Sequence, residues 1–226
     1  MTTRELYRSE QLITPPVMEP IDLDEVKRHL RFTTGSEDTL LDTYIAAARG
    51  HFEEQTGRQV MAATWEEQFE GFPVTLTDRP YPGGLIELRH PPLLGVLSIT
   101  LPDGSSPEPT LIEGTDFEVD ISTGPYARPG VVRPIAGGAW SSATSGVGSV
   151  RIRYRAGYGE VPDDVPELVK ATLYFLVGHF HKFRAEVYEG APGSSIQAMP
   201  IGAETFLRAF KYSALPSQPP LRTTWA

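Results

Sequence analysis

The chain has 226 residues, 40 % of them apolar and 22 % charged, the composition of a globular protein with a core of its own. It contains no cysteine, which excludes disulfides, thiol nucleophiles and cysteine-ligated zinc and fits a reducing compartment. Its formal charge of −9 argues against a broad basic face wrapped around nucleic acid.

The charge is unevenly spread. From Gly190 onward Arg208, Lys211 and Arg222 stand against one acid, Glu204, a net of +2 that leaves −11 on the rest. An acidic body therefore carries a mildly basic tail. The opening "MTTRELYRSEQLITPP" is too polar for a secretory signal. No apolar run reaches membrane-spanning length, so no membrane partner is expected.

In chain order, residues 1–20 read as an extended N-terminal segment, because Pro15, Pro16 and Pro20 block a helix. Residues 21–57 read as a first helical region. "IDLDEVKRHLRF" predicts a short helix with Asp22 and Glu25 spaced as a capping box and a thin apolar stripe of Leu23, Val26 and Leu30. After "TTGS", Ser36 is placed to cap a second helix whose Leu41, Tyr44, Ile45, Ala48 and Phe52 share one face, and Gly57 is a suitable stop.

Between residues 58 and 155 the period changes from helical to alternating. "QVMAATWEEQFEGF", "LIELRHPPL", "GVLSITLPDGS", "DFEVDISTG", "GVVRPIAGG" and "SVRIRYRAG" are short β-rich runs broken by Gly, Pro and Asp-Gly, which predicts an inserted antiparallel β module. "GGAWSSATSGVGS" (Gly137 to Ser149) reads as a loop. Residues 156–189 return to helix: Asp163 or Asp164 can cap it, Pro166 suits its first turn, and Val169, Leu173, Leu176, Phe180 and Phe183 form a stripe. Phe175 lies off that stripe. Residues 190–226 are Pro-rich, with one short helical stretch, "GAETFLRAFKY". The fold class expected is α+β: a helical bundle of about three main helices, an inserted antiparallel β module, and extended N- and C-terminal arms.

Catalytic chemistry finds no foothold. "GHFHKF" holds His179 and His181, but residues two apart on a helix point about 200° from one another and cannot share a metal. His29, His51 and His90 are isolated. There is no Gly-x-Ser-x-Gly elbow and no P-loop, and "GVGSVR" precedes a strand where a dinucleotide fingerprint would follow one. The acids of "TWEEQFEGF" fit the wet face of a strand as well as a carboxylate pair. No catalytic residue, metal ligand or cofactor is assigned.

Three stretches together resemble a known family. "PIDLDEVKRHLRF" with "DTLLDTYIAAARGHFEEQTGRQV" is similar to the opening of the head–tail connector (adaptor) proteins of tailed bacteriophages and related gene-transfer particles, including a Thr-Gly-Arg-like stop at Thr56, Gly57 and Arg58. "YRAGYGEVPDDVPELVKATLYFLVGHFHKFR" resembles the family's strand ending in Ala-Gly-Tyr-Gly, its Val-Pro turn, and a helix ending in a His-aromatic-basic cluster. "MPIGAETFLRAFKY" resembles its closing segment. The β region matches in placement only.

The resemblance implies a structural protein of the virion neck, made in the host bacterial cytoplasm. It implies a homo-oligomeric ring, expected as a dodecamer, beneath the portal protein. The ring would join the head to a stopper or tail-completion protein, and genomic DNA would pass through its lumen without specific binding. Leu23, Val26, Leu30 and Phe175 are then expected at subunit interfaces. Ile196, Met199, Ile201, Phe206, Leu207, Arg208, Phe210, Lys211 and Tyr212 are expected on a portal-binding arm, the alternative being that "GAETFLRAFKY" packs back on its own subunit. Two other readings stand beside this one. A β-rich carbohydrate- or receptor-binding module would use Trp65, Phe69, Phe72 and Tyr81. A metal-dependent hydrolase would assemble a site from distant histidines and acids.

Overall fold

The computed structural model describes residues 8–72, 84–136, 138–140, 146, 148–183 and 201–211. They form two layers, one helical and one of antiparallel sheet, each with its own apolar core. The mixed α+β class expected from the sequence is what the chain adopts, although the described residues hold four helices rather than about three.

The helices are α1 (Leu23–Leu30), α2 (Asp38–Thr56), α3 (Glu167–Lys182) and α4 (Ile201–Phe210). In α2, Leu41, Ile45, Ala48 and Phe52 are buried at spacings of four, three and four, and Tyr44 is partly buried beside them. Gly57 ends the helix at φ 69°, a left-handed conformation that glycine adopts without a Cβ clash, and its N–H donates to the Glu53 carbonyl. Val169, Leu173, Leu176 and Val177 of α3 bury against this face. Ala203, Leu207 and Phe210 of α4 complete it, with the Phe52 and Phe210 rings 5.5 Å apart.

The strands form a five-stranded sheet, β1 (Arg8–Thr14), β2 (Ala63–Phe69), β8 (Val150–Ala156), β4 (Leu93–Thr100) and β5 (Thr110–Leu111) in that spatial order. A second sheet orders β3 (Ile86–Glu87), β7 (Val131–Pro134) and β6 (Phe117–Asp120). Ile99, Ile152 and Tyr154 of the larger sheet and Val132 and Phe117 of the smaller share one core.

Several local expectations are corrected. Within the segment expected to be extended, Arg8–Thr14 is a strand whose pairing the sequence reading did not foresee: it runs antiparallel to β2, from Arg8↔Phe69 to Leu12↔Trp65. Ser36 does not cap α2. Glu37 occupies that position and makes no side-chain cap. Asp22 does cap α1, its Oδ1 accepting from the Asp24 N–H at 2.6 Å. Glu25 does not close the box; it accepts instead from the Tyr174 hydroxyl of α3. Neither Asp163 nor Asp164 caps α3. Both lie in a 3-10 turn, where Asp164 accepts from the Glu160 and Val161 amides.

The layers join where α2 runs into β2 and β8 runs into α3. Tyr158 N–H donates to the Val60 carbonyl and Ala62 N–H to the Gly159 carbonyl. A Cβ on Gly157 would lie 2.7 Å from the Met61 carbonyl, and one on Gly159 would overlap the Asp164 carboxylate. The Ala-Gly-Tyr-Gly stretch is therefore a close crossing of two backbones that larger residues would force apart.

Phe52 is fully buried between α3 and α4. Phe52→Ala should cost about 3–5 kcal/mol. Urea unfolding followed by circular dichroism measures it, and a loss below about 1 kcal/mol would contradict this packing.

Candidate functional site

Three regions carry the polar and apolar groups that a function would use: the buried junction around Arg58, the outer face of α3 and α4, and the free side of β1.

Arg58 follows the glycine stop of α2 and is 5 % exposed. Its Nε donates to the Phe210 carbonyl at 2.7 Å and one terminal nitrogen donates to the Ala127 carbonyl at 2.8 Å. The first bond places a cation on the negative end of the α4 dipole. Tyr158 lies in the same pocket. Its hydroxyl donates to the Pro125 carbonyl, and burial raises its pKa although Arg58 works against that. One side chain thus ties α2, α4 and the loop before β7. The sequence signal was the Thr-Gly-Arg stop, but nothing in it said where the guanidinium would point.

The second polar centre is inside the sheet. Glu67 is fully buried, and its Oε1 accepts from Tyr154 Oη at 2.6 Å and from the Arg89 N–H at 2.8 Å. Glu66 pairs with Arg153 at 2.7 Å. The acids of "TWEEQF" are therefore not on a wet face. They hold neighbouring strands together, which burial makes worthwhile only because each oxygen is satisfied.

The histidines go separate ways. His181 Nε2 lies 2.8 Å from Glu37 Oε2, edge-on to Phe32. His179 sits against Phe183, and burial, then the charges of His51 and Lys182, lower its pKa. His29 stacks on Tyr174, and His90 stacks on Trp65 at 3.8 Å. Among the described residues no group of three His, Asp or Glu is placed to hold a metal.

The expected interface residues divide. Val26 is fully buried, and Leu23 and Leu30 pack beside it on the same core. Val26 is corrected to a core position, because α1 lies on α2 and α3, whereas Leu23 and Leu30 keep part of their surface exposed. Phe175 does face outward, 43 % exposed, stacked on Phe206 of α4. On the proposed arm, Leu207 and Phe210 are also corrected to core, because α4 packs back onto its own subunit. Arg208 and Lys211 are exposed. Ile196, Met199 and Tyr212, and the side chain of Ile201, lie outside the described residues. Trp65 donates to Gln59, Phe69 is buried, and Phe72 stacks on Trp140 at 4.3 Å. The sugar-binding platform these aromatics could have offered is thus engaged inside the protein, and Tyr81 lies outside the described residues.

Sequence reasoning missed the free side of β1. Glu10 on this strand lies 3.0 Å from Arg89 and 3.3 Å from His90. Burial opposes its ionisation, but the Arg89 hydrogen bond and the charges of His90 and Arg89 together hold its carboxyl below the usual range. At the Thr14 end of the strand a groove of about 340 Å³ opens between Pro15, Val17, Met18, Met61 and Val161. Val17 is 95 % exposed there.

Comparison with known proteins follows the same lines. Residues 20–78 match the family model described as phage gp6-like head-tail connector protein. The whole fold is similar to that of three solved chains. One comes from the neck of an empty GTA particle computed with C6 symmetry: TM-score 0.70, 20 % identity, covering 93 % of this chain and 100 % of that one. Another comes from the virion of a native gene transfer agent particle: TM-score 0.66, 22 % identity, 93 % and 99 % covered. The third comes from the neck of a native GTA particle computed with C12 symmetry: TM-score 0.64, 20 % identity, 94 % and 100 % covered. None of the curated proteins matches this chain significantly.

Burial, foremost, lowers the pKa of His90 despite the neighbouring carboxylates, and the Glu10 carboxyl is also lowered. Both groups bind protons more readily when unfolded. Their stabilisation is complete above an unfolded value of about 6.5 for His90 and is lost as pH falls, with Glu10 adding its loss below about 4.5. The urea midpoint should therefore drop on acidification from pH 8 to pH 4. His90→Phe, which keeps a ring on Trp65 without a titrating group, should remove the upper part of that drop. An unchanged profile in the variant would contradict the assignment.

Proposed function

We propose that this chain is a structural subunit of a head–tail connector in the neck of a tailed phage or gene-transfer particle. The observation that carries the reading is the pairing of two likenesses, one of sequence and one of fold. The connector family model covers the α1–α2 opening and the start of the sheet, and the full-length fold is similar to chains from particle necks. The subunits form a closed ring that lies beneath the portal, extends the DNA channel and receives a stopper or tail-completion protein.

The physical character of the surface fits this role. A chain of net charge −9 presents like charge to a DNA backbone, so a ring of copies repels the polyanion and lets it pass without adhering. Buried acids such as Glu67 serve the fold and leave the surface acids for this purpose. Chemistry is not needed: the ionisable clusters described above are each consumed by structure.

Portal contact falls to the outer face of α3 and α4 together with the segment beyond Lys211. Phe175 and Phe206 supply an apolar platform beside the cations Arg208 and Lys211. Pro216, Pro219 and Pro220 fix backbone φ and so reduce the conformational entropy cost of binding.

Truncation tests the division between core and arm. A chain ending at Lys211 should keep the wild-type unfolding midpoint and lose co-sedimentation with a purified portal ring. A chain ending at Glu189 lacks Leu207 and Phe210 and should lose several kcal/mol of stability, on the order of two large core side chains. Normal portal binding by the Lys211 truncation would remove the arm from the proposal.

A further inference from the structure

We propose that each copy of the chain seats Tyr126 and Arg128, from the loop between β6 and β7, in the groove at the end of β1 on the next copy. The inference rests on the connector reading, and it names the contact by which the ring closes.

Both patches are built at the junction of the two layers. Of the residues that line the groove, Thr14, Thr64 and Arg155 stand in one cross-strand row. Side chains alternate across a sheet, and Trp65 and Tyr154 of the next row face the core shared with the smaller sheet. The groove therefore opens on the face of the large sheet away from the smaller one. The β6–β7 loop belongs to the smaller sheet and lies on the other side. Glu160 and Val161, on the groove wall, come just after Tyr158, and the Tyr158 hydroxyl holds the loop through the Pro125 carbonyl at 2.7 Å. The two patches thus sit at one level of the subunit and on opposite sides of it. A cyclic ring closes through such a pair, two different patches of one subunit. Chains of similar fold occur in necks computed with C6 and C12 symmetry.

The loop is held ready to dock. Arg58 donates to the Ala127 carbonyl at 2.8 Å, and the Ala127 N–H donates to the Gly124 carbonyl at 3.1 Å. The Tyr126 ring stacks on Phe210 at 5.1 Å and is still 53 % exposed. A loop pinned in this way loses little freedom on binding. Tyrosine and arginine are also the residue types that carry most interface energy when they enter a pocket. The groove supplies both halves of a complement. Val17, Met18 and Val161 are exposed apolar side chains around it, and Glu160 stands on its wall with its side chain 70 % exposed. Arg155 pairs with Glu160, but Asp163 and Asp164 on the following turn leave this wall acidic. Arg128 is exposed and brings the opposite sign. Copies of a chain of charge −9 repel one another, and a local match of this kind is where they can meet.

The test places a photoreactive ring at the anchor. p-Benzoylphenylalanine in place of Tyr126 keeps an aromatic group there and, when irradiated, inserts into nearby C–H bonds, those of methionine most readily. The full chain carrying it is irradiated with and without the purified portal ring of the same particle, and adducts are mapped by mass spectrometry. The expected product is a ladder of linked chains with the adduct on Met18, Val17 or Val161. An adduct between two β6–β7 loops, or on any other segment of a second copy, would overturn the inference. A charge exchange gives a second arm that leaves the Tyr126 ring in place. Arg128→Glu and Glu160→Arg should each lower the occupancy of portal by the ring about tenfold, and the two in one chain should restore it. Loss without restoration in the double variant would count against the pairing. If the wild-type protein assembles on the portal ring and no such adduct forms, the inference fails while the connector reading stands. If the adduct forms on the Met18 segment and portal binding is absent, the connector reading fails while the contact stands. No assembly and no adduct would overturn both.

Discussion

Arg58 is the point on which the two layers and α4 depend. It is placed by Gly57, which stops α2 in a left-handed turn and sends the chain toward β2. From there the guanidinium reaches the Phe210 carbonyl and the Ala127 carbonyl at once. A charge buried without a carboxylate is tolerable only when its donors meet strong acceptors, and the C-terminal end of α4 is one. The consequence is a helix, 152 residues away in sequence, pinned over Phe52. Gly157 serves the same junction from the other side, by letting the end of β8 cross the Met61–Ala62 backbone at contact distance, and Gly159 leaves room for the Asp164 carboxylate.

Much of this was legible from pattern. The stripe of α2, the stop at Gly57, the change of period at residue 58 and the stripe of α3 all follow from spacing, because each rests on local chemistry and burial along one element. What could not be read depended on partners far away in sequence. β1 has an ordinary polar-apolar run, and only pairing with β2 makes it a strand. Leu23, Val26 and Leu30 looked too few to build a core. They suffice because α2 and α3 supply the remainder. Glu66 and Glu67 read as acids of a solvated strand, yet they point to opposite faces of β2 and Arg153 and Tyr154 of β8 make them internal. Leu207 and Phe210 have the character of anchors for a partner, and the partner turned out to be the same chain. The resemblance to connectors was legible in the order of three short motifs, none of which needed the β region.

These features give a consistent division of labour. Buried ion pairs and hydrogen bonds absorb the polar groups that would otherwise suggest chemistry. The exposed acids give the body its sign, and among the described residues exposed apolar side chains include Phe175 on the α3–α4 face and Val17, Met18 and Val161 at the groove at the end of β1. A subunit that must touch neighbours on two sides and a different protein above needs such separated patches, and a rigid two-layer body holds them at fixed angles.

The proposed connector role requires that copies of this chain form a ring at the portal. Electron microscopy of the purified chain mixed with the portal ring of the same particle tests it most directly. A closed ring of copies coaxial with the portal, with α3 and α4 toward it, is the expected result. Portal rings that stay bare in the presence of excess folded protein would contradict it.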